Sequence, residues 1–455
     1  MGRYFGTDGV RGEAGVRLTG ELAYRLGRFF GGYCARRAAY EDKRARILVG
    51  KDTRLSSYVL EYALSAGIAA SGADACLLHV TTTPSLSYLA GTGDYAGGVM
   101  ISASHNPYPD NGIKLFDASG EKLSEPLEAE AEAYLDGEEP QFPHQTGDRL
   151  GKIMDAGGKR QAYLSHLLAC VGGLDLSGRK IALDCANGST WRFAPALFRS
   201  LGAAVTVLGD SPTGTNINLA CGSTHPDALC RAVVREECDV GFAFDGDGDR
   251  CIAVDGEGRV VDGDGMLYLS ACRMKARGEL GSDGVVGTHM TNGGLEAALA
   301  RQGIVLTRTD VGDRYVHERM KEGGYCLGGE PSGHLIFARH ASTGDGMLTA
   351  LLVCEAIAQE GLPLSRLVAG YRPRPQLTRS LRLASPAGIL SHPRAREALA
   401  REGDALAATG GRLLVRPSGT EPLLRIMCEG EDSRQLVQVA DALQEVFLEI
   451  AKEEP

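Results

Sequence analysis

The 455-residue sequence lacks an apolar run long enough to cross a membrane, and residues 1–5 have no apolar core of a signal peptide. It also lacks an excess of positive charge, since it has 48 Lys and Arg residues and 58 Asp and Glu residues, which gives a net charge of −10. We therefore expect a soluble, cytoplasmic protein with no membrane partner and no nucleic-acid partner. An anionic ligand would need a local group of cations.

No two of the 12 cysteines are spaced as a C-x-x-C pair. Five of them lie among apolar neighbours, namely Cys34, Cys76, Cys185, Cys251 and Cys354. A free cysteine among apolar residues behaves as a small buried hydrophobe, and disulfides are rare in reducing compartments. We expect buried free thiols in a reducing compartment.

A pattern of strand, helix and strand recurs three times along the chain. The copies begin with strands at Ile47, Ile181 and Val285, and the third strand of each copy runs into an unusual polar loop. These loops are residues 102–107, 245–250 and 329–334. The alternation predicts an α/β fold with three related domains on mixed sheets. If the copies are equivalent, their loops occupy the same position in each domain and share one central cleft.

The chain from Gln376 onwards has a different pattern. Two strands, at 412–415 and 423–428, lie between amphipathic helices, which predicts a smaller C-terminal α+β domain. Polar or Pro-rich segments at 136–147, 254–260 and 371–375 separate the parts of the chain. We therefore predict domains at residues 1–147, 148–256, 257–370 and 371–455.

The first unusual loop carries Ser104 shortly after an apolar strand, residues 97–101 (GGVMI). A serine in such a loop is most often a turn residue. In an open α/β sheet, however, ligands bind at the carboxyl ends of the strands, which makes Ser104 a candidate for chemistry.

The second unusual loop places Asp245, Asp247 and Asp249 within five residues, separated by glycines. Three carboxylates this close repel one another unless a cation neutralises them, and carboxylate oxygens suit Mg²⁺ or Ca²⁺. Mg²⁺ that completes its shell with a phosphate oxygen fits this small ligand set better than a closed Ca²⁺ cage. A solvated acidic turn is the alternative interpretation.

Two further loops suit the groups of a phosphorylated sugar. Hydroxyl and N–H groups in residues 416–422 (RPSGTEP) can surround a tetrahedral anion, and the candidates are Arg416, Ser418, Gly419, Thr420 and Arg425. Residues 329–334 (GEPSGH) offer groups for sugar hydroxyls or an amine, namely Glu330, Ser332 and His334. A hairpin and a polar glycine-rich turn are the respective alternatives.

These segments together resemble the motifs of the α-D-phosphohexomutase superfamily. The five matching segments are residues 6–12 (GTDGVRG), 101–107 (ISASHNP), 245–250 (DGDGDR), 329–334 (GEPSGH) and 416–422 (RPSGTEP). They lie in order over nearly the whole chain. Residues 5–12, 101–104 and 311–316 (VGDRYV) favour the branch that acts on glucosamine phosphate. Pro331 departs from that branch, in which Gln commonly stands at this position. Proline has neither a backbone N–H nor a side-chain amide, so this difference bears on which hexose the site selects.

The resemblance implies a role for each candidate residue. Ser104 would carry a phosphate, and one Mg²⁺ per chain would be held by that phosphate and by Asp245, Asp247 and Asp249. Lys114 would neutralise charge or accept a proton beside the phosphoserine. The transferring phosphoryl group would be surrounded by Arg11, His105, Lys114 and Arg250. The sugar ring would contact Glu330, Ser332 and His334, and the distal phosphate would bind Arg416, Ser418, Gly419, Thr420 and Arg425.

The resemblance also implies an activity. The enzyme would interconvert glucosamine 6-phosphate and glucosamine 1-phosphate through a 1,6-bisphosphate, with glucosamine or glucose 1,6-bisphosphate as primer. Its product would supply UDP-N-acetylglucosamine and cell-wall synthesis, and it would be a monomer or a homodimer. The alternatives are a phosphoglucomutase or phosphomannomutase of the same fold, a non-catalytic sugar-phosphate-binding protein, and a phosphatase.

Overall fold

The computed structural model describes residues 3–6, 8–39, 44–137, 142–417 and 423–453, whose strands form four sheets. The first sheet contains β1 (Phe5–Gly6), β2 (Gly9–Glu13), β3 (Arg46–Lys51), β4 (Asp74–Val80), β5 (Gly97–Ile101), β6 (Asp110–Phe116) and β7 (Ile153–Asp155). The second contains β8 (Lys180–Asp184), β9 (Ala204–Leu208), β10 (Val240–Phe244), β11 (Cys251–Asp255) and β12 (Val260–Val261). The third contains β13 (Gly284–Thr288), β14 (Val305–Thr309), β15 (Leu327–Gly329) and β16 (Leu335–Phe337). The fourth contains β17 (Gln376–Arg382), β18 (Arg412–Pro417) and β19 (Leu423–Glu429).

Helices alternate with these strands. The first part of the chain has α1 (Gly20–Ala39), α2 (Leu55–Ala70), α3 (Thr83–Ala90) and α4 (Glu125–Leu135). The middle part has α5 (Arg160–Cys170), α6 (Phe193–Ser200), α7 (Asp227–Arg235), α8 (Gly263–Ala276), α9 (Gly293–Arg301), α10 (Asp313–Gly323), α11 (Gly346–Glu360) and α12 (Leu364–Leu367). The last part has α13 (Pro386–Ser391), α14 (Pro393–Ala407) and α15 (Ser433–Glu453).

The first three sheets repeat one strand order. Their shared part reads β6-β5-β3-β4, β11-β10-β8-β9 and β16-β15-β13-β14, so the third strand of each copy pairs with the first in all three sheets. That pairing is parallel, and the next strand then returns antiparallel. The structure therefore confirms three related mixed α/β sheets, with each unusual loop at the carboxyl end of an equivalent strand.

The first sheet is buried on both faces, which explains its nearly continuous apolar strands. Ile47 and Val49 of β3 pack in the hydrophobic cluster beneath α1 and α2, whereas Leu48 between them packs in the cluster on the other face. The side chains of β5 alternate in the same way, with Val99 in the cluster on one face and Met100 in the cluster on the other. This alternation is the two-residue period of a strand covered by helices on both sides.

The described chain divides into two compact units, and the C-terminal one has a strand that the sequence pattern did not indicate. The first unit runs to Thr288 and includes Ile304–Ala369, and the second contains His289–Gly303 and the chain from Gly370 onwards. In the second unit β17 is an edge strand in which exposed polar residues alternate with Leu377 and Leu381, and this weak apolar pattern explains the omission.

Helix α9 belongs to the second unit, where Glu429 of β19 connects it to the fourth sheet. Glu429 is fully buried and accepts hydrogen bonds from Gly293 N at 3.0 Å and Arg412 Nε at 2.9 Å. The four-domain division at 147, 256 and 370 stays a prediction. The first sheet, however, continues past residue 147, because β7 pairs with β4.

Two expectations from composition can be compared with the structure. The 12 cysteines are all free, and the five expected to be buried are buried, which confirms the prediction of buried thiols. Among the described helices, none combines the length and the apolar character that a membrane crossing requires.

A buried hydrogen bond joins the second and third copies of the repeat. Tyr163 of α5 donates from its hydroxyl to Asp345 Oδ2 at 2.8 Å, and Asp345 Oδ1 caps α11 by accepting from Leu348 N at 2.9 Å. Tyr163 and Asp345 are each 2% exposed, and burial raises the pKa of Asp345 to about 6. Because Asp345 is buried, its carboxyl group depends on Tyr163 for this hydrogen bond.

We expect Tyr163→Phe to lower the stability of the first unit by about 1–3 kcal/mol, because the buried Asp345 oxygen would lose its partner. Differential scanning calorimetry would show this as a lower apparent Tm for one transition. The matched control is Tyr62→Phe, at a tyrosine that is 62% exposed. Equal transition temperatures for Tyr163→Phe and the wild type would contradict the prediction.

Candidate active site

Ser104 lies in the loop after β5 and is 1% exposed. Its backbone is in the left-handed region, with φ of 52°, a conformation that costs a non-glycine residue free energy and clusters at functional sites. The Ser104 hydroxyl donates to Asp245 Oδ2 at 2.5 Å. The structure thus brings the serine loop and the acidic loop of two different sheets into direct contact.

The strained serine loop is held by hydrogen bonds to its carbonyl groups. Arg54 is fully buried, and its guanidinium donates to the carbonyl oxygens of Ser104, Asn106, Pro107 and Asp110. Asn218, from the second copy of the repeat, donates through Nδ2 to Ser104 O at 2.8 Å and to Asn106 O at 3.0 Å. These bonds offset the strain and fix the direction of the Ser104 side chain.

Arg54 is itself oriented by Asp52, whose Oδ2 accepts from Arg54 Nε at 2.7 Å and from Ser102 Oγ at 2.7 Å. Ser102 Oγ in turn accepts from Ser104 N at 3.0 Å. Arg54 and Asp52 were not among the predicted site residues, although polar residues at the carboxyl end of β3 were a usable signal. Nothing in the local sequence pattern pointed to Asn218.

Asp245, Asp247 and Asp249 form a buried group at the end of β10. Each offers a carboxylate oxygen within 4.8 Å of those of the other two, and none is more than 4% exposed. Among the described residues, no hydrogen-bond donor reaches Asp247 Oδ1 or Asp249 Oδ1. Burial, followed by the charges of Asp249 and Asp247, raises the pKa of Asp245 well above its ordinary value. Buried carboxylate oxygens that repel one another and lack donors fit a hard divalent cation.

Lys114 on β6 lies among carboxylates. Its Nζ is 2.9 Å from Asp247 Oδ2, 3.0 Å from Asp8 Oδ2 and 3.6 Å from Asp249 Oδ2. Burial alone would lower the pKa of Lys114, but the three carboxylates outweigh it and raise the pKa above its ordinary value. Lys114 is therefore a buried ammonium group that neutralises part of the acidic loop.

Three further candidates lie around Ser104. His105 Nδ1 is 3.3 Å from Ser104 Oγ, and Arg11 pairs with Asp8. The charge of Arg250, followed by burial and by Arg11, lowers the pKa of His105 to about 3. His105 is therefore a neutral imidazole beside the serine, and two guanidinium groups supply positive charge there.

The sugar-loop candidates follow β15 in a tight turn. Glu330 N donates to His334 O at 3.0 Å, and Gly344 N donates to His334 Nε2 at 3.2 Å, which assigns the His334 proton to Nδ1. His334 Nδ1 and Ser332 Oγ are buried and have no hydrogen-bond partner among the described residues. Burial raises the pKa of Glu330, while His334 and Arg250 oppose the rise. The loop thus presents unpaired polar atoms that suit sugar hydroxyls.

The structure brings one group of predicted residues together in the first unit, which also contains the sugar loop, whereas the predicted phosphate-binding residues belong to the second unit. The first group is Arg11, Ser104, His105, Lys114, Asp245, Asp247, Asp249 and Arg250, and Arg250 also interacts electrostatically with Glu330 of the sugar loop. Arg416 and Arg425 lie in the second unit, directly opposite each other on β18 and β19. Ser418, Gly419 and Thr420 lie outside the described residues.

Four models of one family match the chain in order. They are phosphoglucomutase/phosphomannomutase alpha/beta/alpha domain I at residues 2–142, domain II at 161–258, domain III at 262–373, and the C-terminal domain at 381–446. The curated phosphoglucosamine mutase of Lachnospira eligens is 47% identical and covers 98% of each chain. That of Geobacillus kaustophilus is 48% identical and covers 95% of each.

Solved structures have the same fold at lower identity. A phosphoglucomutase/phosphomannomutase family protein from Burkholderia thailandensis superposes with a TM-score of 0.79 at 24% identity, over 99% of this chain and 98% of that one. The N-acetylphosphoglucosamine mutase of Aspergillus fumigatus, solved with GlcNAc-6P and magnesium, has a TM-score of 0.65 at 17% identity, over 99% and 95%.

We expect Asp249→Asn to weaken divalent-cation binding by about tenfold to a hundredfold, because the site loses a ligand charge. Isothermal titration calorimetry with Mn²⁺ would measure the change. The matched control is Asp239→Asn, since Asp239 precedes β10 and lies at the opposite end of that strand. Equal affinities for Asp249→Asn and the wild type would show that the acidic loop does not bind the metal.

Proposed function

Since the chain belongs to the phosphoglucomutase/phosphomannomutase family, and its close curated relatives are phosphoglucosamine mutases, we propose that it interconverts glucosamine 6-phosphate and glucosamine 1-phosphate. The reaction proceeds through a phosphoserine enzyme and a 1,6-bisphosphate. The observation that carries the proposal is the Ser104 hydroxyl, which is buried against Asp245 of the three-carboxylate loop.

Ser104 is the phosphoryl carrier in this proposal. A phosphate there adds about −1.5 to −2 charge at pH 7. Mg²⁺ bound by Asp245, Asp247 and Asp249 would neutralise this charge and polarise the phosphorus. The residues support this role because the serine is buried and its loop is held by Arg54. In addition, Asp247 Oδ1 and Asp249 Oδ1 have no hydrogen-bond donor among the described residues.

The surrounding residues orient and stabilise the transferring group. Arg11 and Arg250 contribute guanidinium charge, and Lys114 contributes an ammonium group within 3.6 Å of three carboxylates. Because the pKa of His105 is low, its neutral ring can accept a hydrogen bond instead of adding charge. Phosphoryl transfer depends mainly on such positioning and charge stabilisation, so these groups account for most of the catalysis.

The bisphosphate must reverse its orientation between the two half-reactions, so the enzyme needs a tolerant clamp for the ring and an anchor for the distal phosphate. Glu330, Ser332 and His334 suit the ring, because two of them have buried polar atoms that find no partner in the described part of the chain. For the anchor we propose Arg416 and Arg425, together with Ser418, Gly419 and Thr420. Directly opposed residues of an antiparallel pair project from the same face, so the two guanidinium groups can bind one phosphate.

The proposal includes one Mg²⁺ per chain, glucosamine or glucose 1,6-bisphosphate as primer, and a phosphate on Ser104. We also propose a cytoplasmic monomer or homodimer whose product supplies UDP-N-acetylglucosamine and cell-wall synthesis. Charged sugar phosphates do not cross a membrane unaided, which supports a cytoplasmic location.

Pro331 supports one second candidate, a mutase of the same fold that acts mainly on glucose or mannose phosphates. Proline offers neither a backbone N–H nor a side-chain amide to the sugar. Its carbonyl oxygen accepts a hydrogen bond from Gly263 N at 3.1 Å, so this carbonyl group already has a partner within the protein. Selectivity for the amino sugar would then depend on Glu330 and its neighbours. A non-catalytic binding protein is a weaker candidate, because Ser104 and the three aspartates are all present.

We expect Ser104→Ala to abolish turnover, because no hydroxyl remains to carry the phosphoryl group, while sugar-phosphate binding persists. A coupled assay of glucosamine 6-phosphate formation and calorimetric binding of the same sugar phosphate would measure the two effects. The control is Ser119→Ala, at an exposed serine after β6, which should retain full activity. Undiminished turnover by Ser104→Ala would overturn the phosphoserine assignment, and release of free phosphate by the wild type would indicate a phosphatase.

A further inference from the structure

Lys122 lies in none of the five sequence motifs, yet its partly buried side chain lies between two carboxylates beside the candidate site. It follows the turn after β6 and forms an isolated bridge with Phe116. Its side chain is 15% exposed, and its ammonium group contacts Asp8 Oδ1 and Asp313 Oδ2. One cation thus joins carboxylates from the first and third copies of the repeat.

The Asp8 end of this bridge leads to the phosphoryl-transfer centre. The other oxygen of Asp8, Oδ2, lies 3.0 Å from Lys114 Nζ and also pairs with Arg11. Lys114 continues the path to Asp247 Oδ2 at 2.9 Å. Because both cations pair with Asp8, the orientation of Asp8 affects the positions of the Lys114 ammonium group and the Arg11 guanidinium group.

The Asp313 end leads to the sugar loop. Asp313 is the first residue of α10, and its Oδ2 lies 3.7 Å from His334 Nε2. Since Gly344 N also contacts His334 Nε2, the ring has a fixed orientation, with Nδ1 left for a ligand. Ion pairs therefore connect Lys114 through Asp8 and Lys122 to Asp313, and the Asp313 carboxylate lies next to the His334 ring.

We propose that Lys122 is a positioning residue. Its ion pairs with Asp8 and Asp313 would fix the position of the sugar loop relative to the residues around Ser104. The inference rests on the mutase activity proposed above. The two partly buried carboxylates would repel each other, and the ammonium group between them replaces this repulsion with two ion pairs. A displacement of about 1 Å in such an arrangement can cost about a hundredfold in rate.

A purely structural role for Lys122 predicts different kinetics. A variant that merely folds less well contains fewer active molecules, so its kcat falls while its KM stays the same. A variant whose sugar loop has shifted binds the sugar phosphate less well, so its KM rises. The ratio of KM between variant and wild type therefore separates the two roles.

The test compares Lys122→Met with Lys122→Arg in the full-length enzyme. Methionine keeps much of the side-chain volume and removes the charge, whereas the guanidinium of arginine can still bridge two carboxylates. We expect Lys122→Met to raise the KM for glucosamine 6-phosphate by about tenfold or more, and Lys122→Arg to restore most of the loss.

The matched control is Lys321→Met. Lys321 lines the same cavity as Lys122, but its side chain is 59% exposed and pairs only with Glu121 in the contacts described. Its KM should equal that of the wild type. If Lys122→Met does not fold, Asp313→Asn tests the same connection from its other end and should also raise KM, with no further rise when the two changes are combined.

An unchanged KM in a folded Lys122→Met variant, or in Asp313→Asn, would overturn the positioning role. A fall in kcat alone that Lys122→Arg does not reverse would do the same. The failure of the proposed function is a separate outcome, because the wild type would then show no mutase turnover.

Discussion

Three carboxylates buried within reach of one another cannot all stay ionised without compensating positive charge, and the candidate site is built around this constraint. Lys114 supplies one charge from the first sheet, and Arg250 supplies another from the acidic loop. Two carboxylate oxygens still have no donor among the described residues. The three carboxylates could therefore hold a divalent cation, which under the proposed function would lie beside a phosphate on Ser104.

The repeated strand order explains how distant parts of the chain reach this site. Each copy ends its third strand at the same edge of its own sheet, so the serine loop and the acidic loop meet although 141 residues separate Ser104 from Asp245. Buried hydrogen bonds then fix the loops, with Arg54 and Asn218 both holding the Ser104 carbonyl. The strain at Ser104 is sustained by contacts from two copies of the repeat, as expected where a side chain must be aimed precisely.

Much of this could be predicted from the sequence, because strand ends and glycine-rich loops are local patterns. Ser104 and the three aspartates follow apolar strands, and the structure places them together. Arg54 and Lys122 were not predicted, because the sequence around a cation that pairs within the fold does not differ from that around a solvated one. Their partners are also distant in the chain, since Lys122 contacts Asp313. The strand β17 was missed because its apolar pattern is weak, with only two leucines among polar residues along this edge strand.

The most direct test of the central claim is the turnover of glucosamine 6-phosphate, glucose 6-phosphate and mannose 6-phosphate to their 1-phosphates, compared by kcat/KM with Mg²⁺ and a primer bisphosphate present. We expect a clear preference for the amino sugar, which would also show that Pro331 is compatible with its recognition. Equal or better use of glucose or mannose would contradict the assignment to amino-sugar metabolism. No turnover of any of the three would contradict the mutase itself.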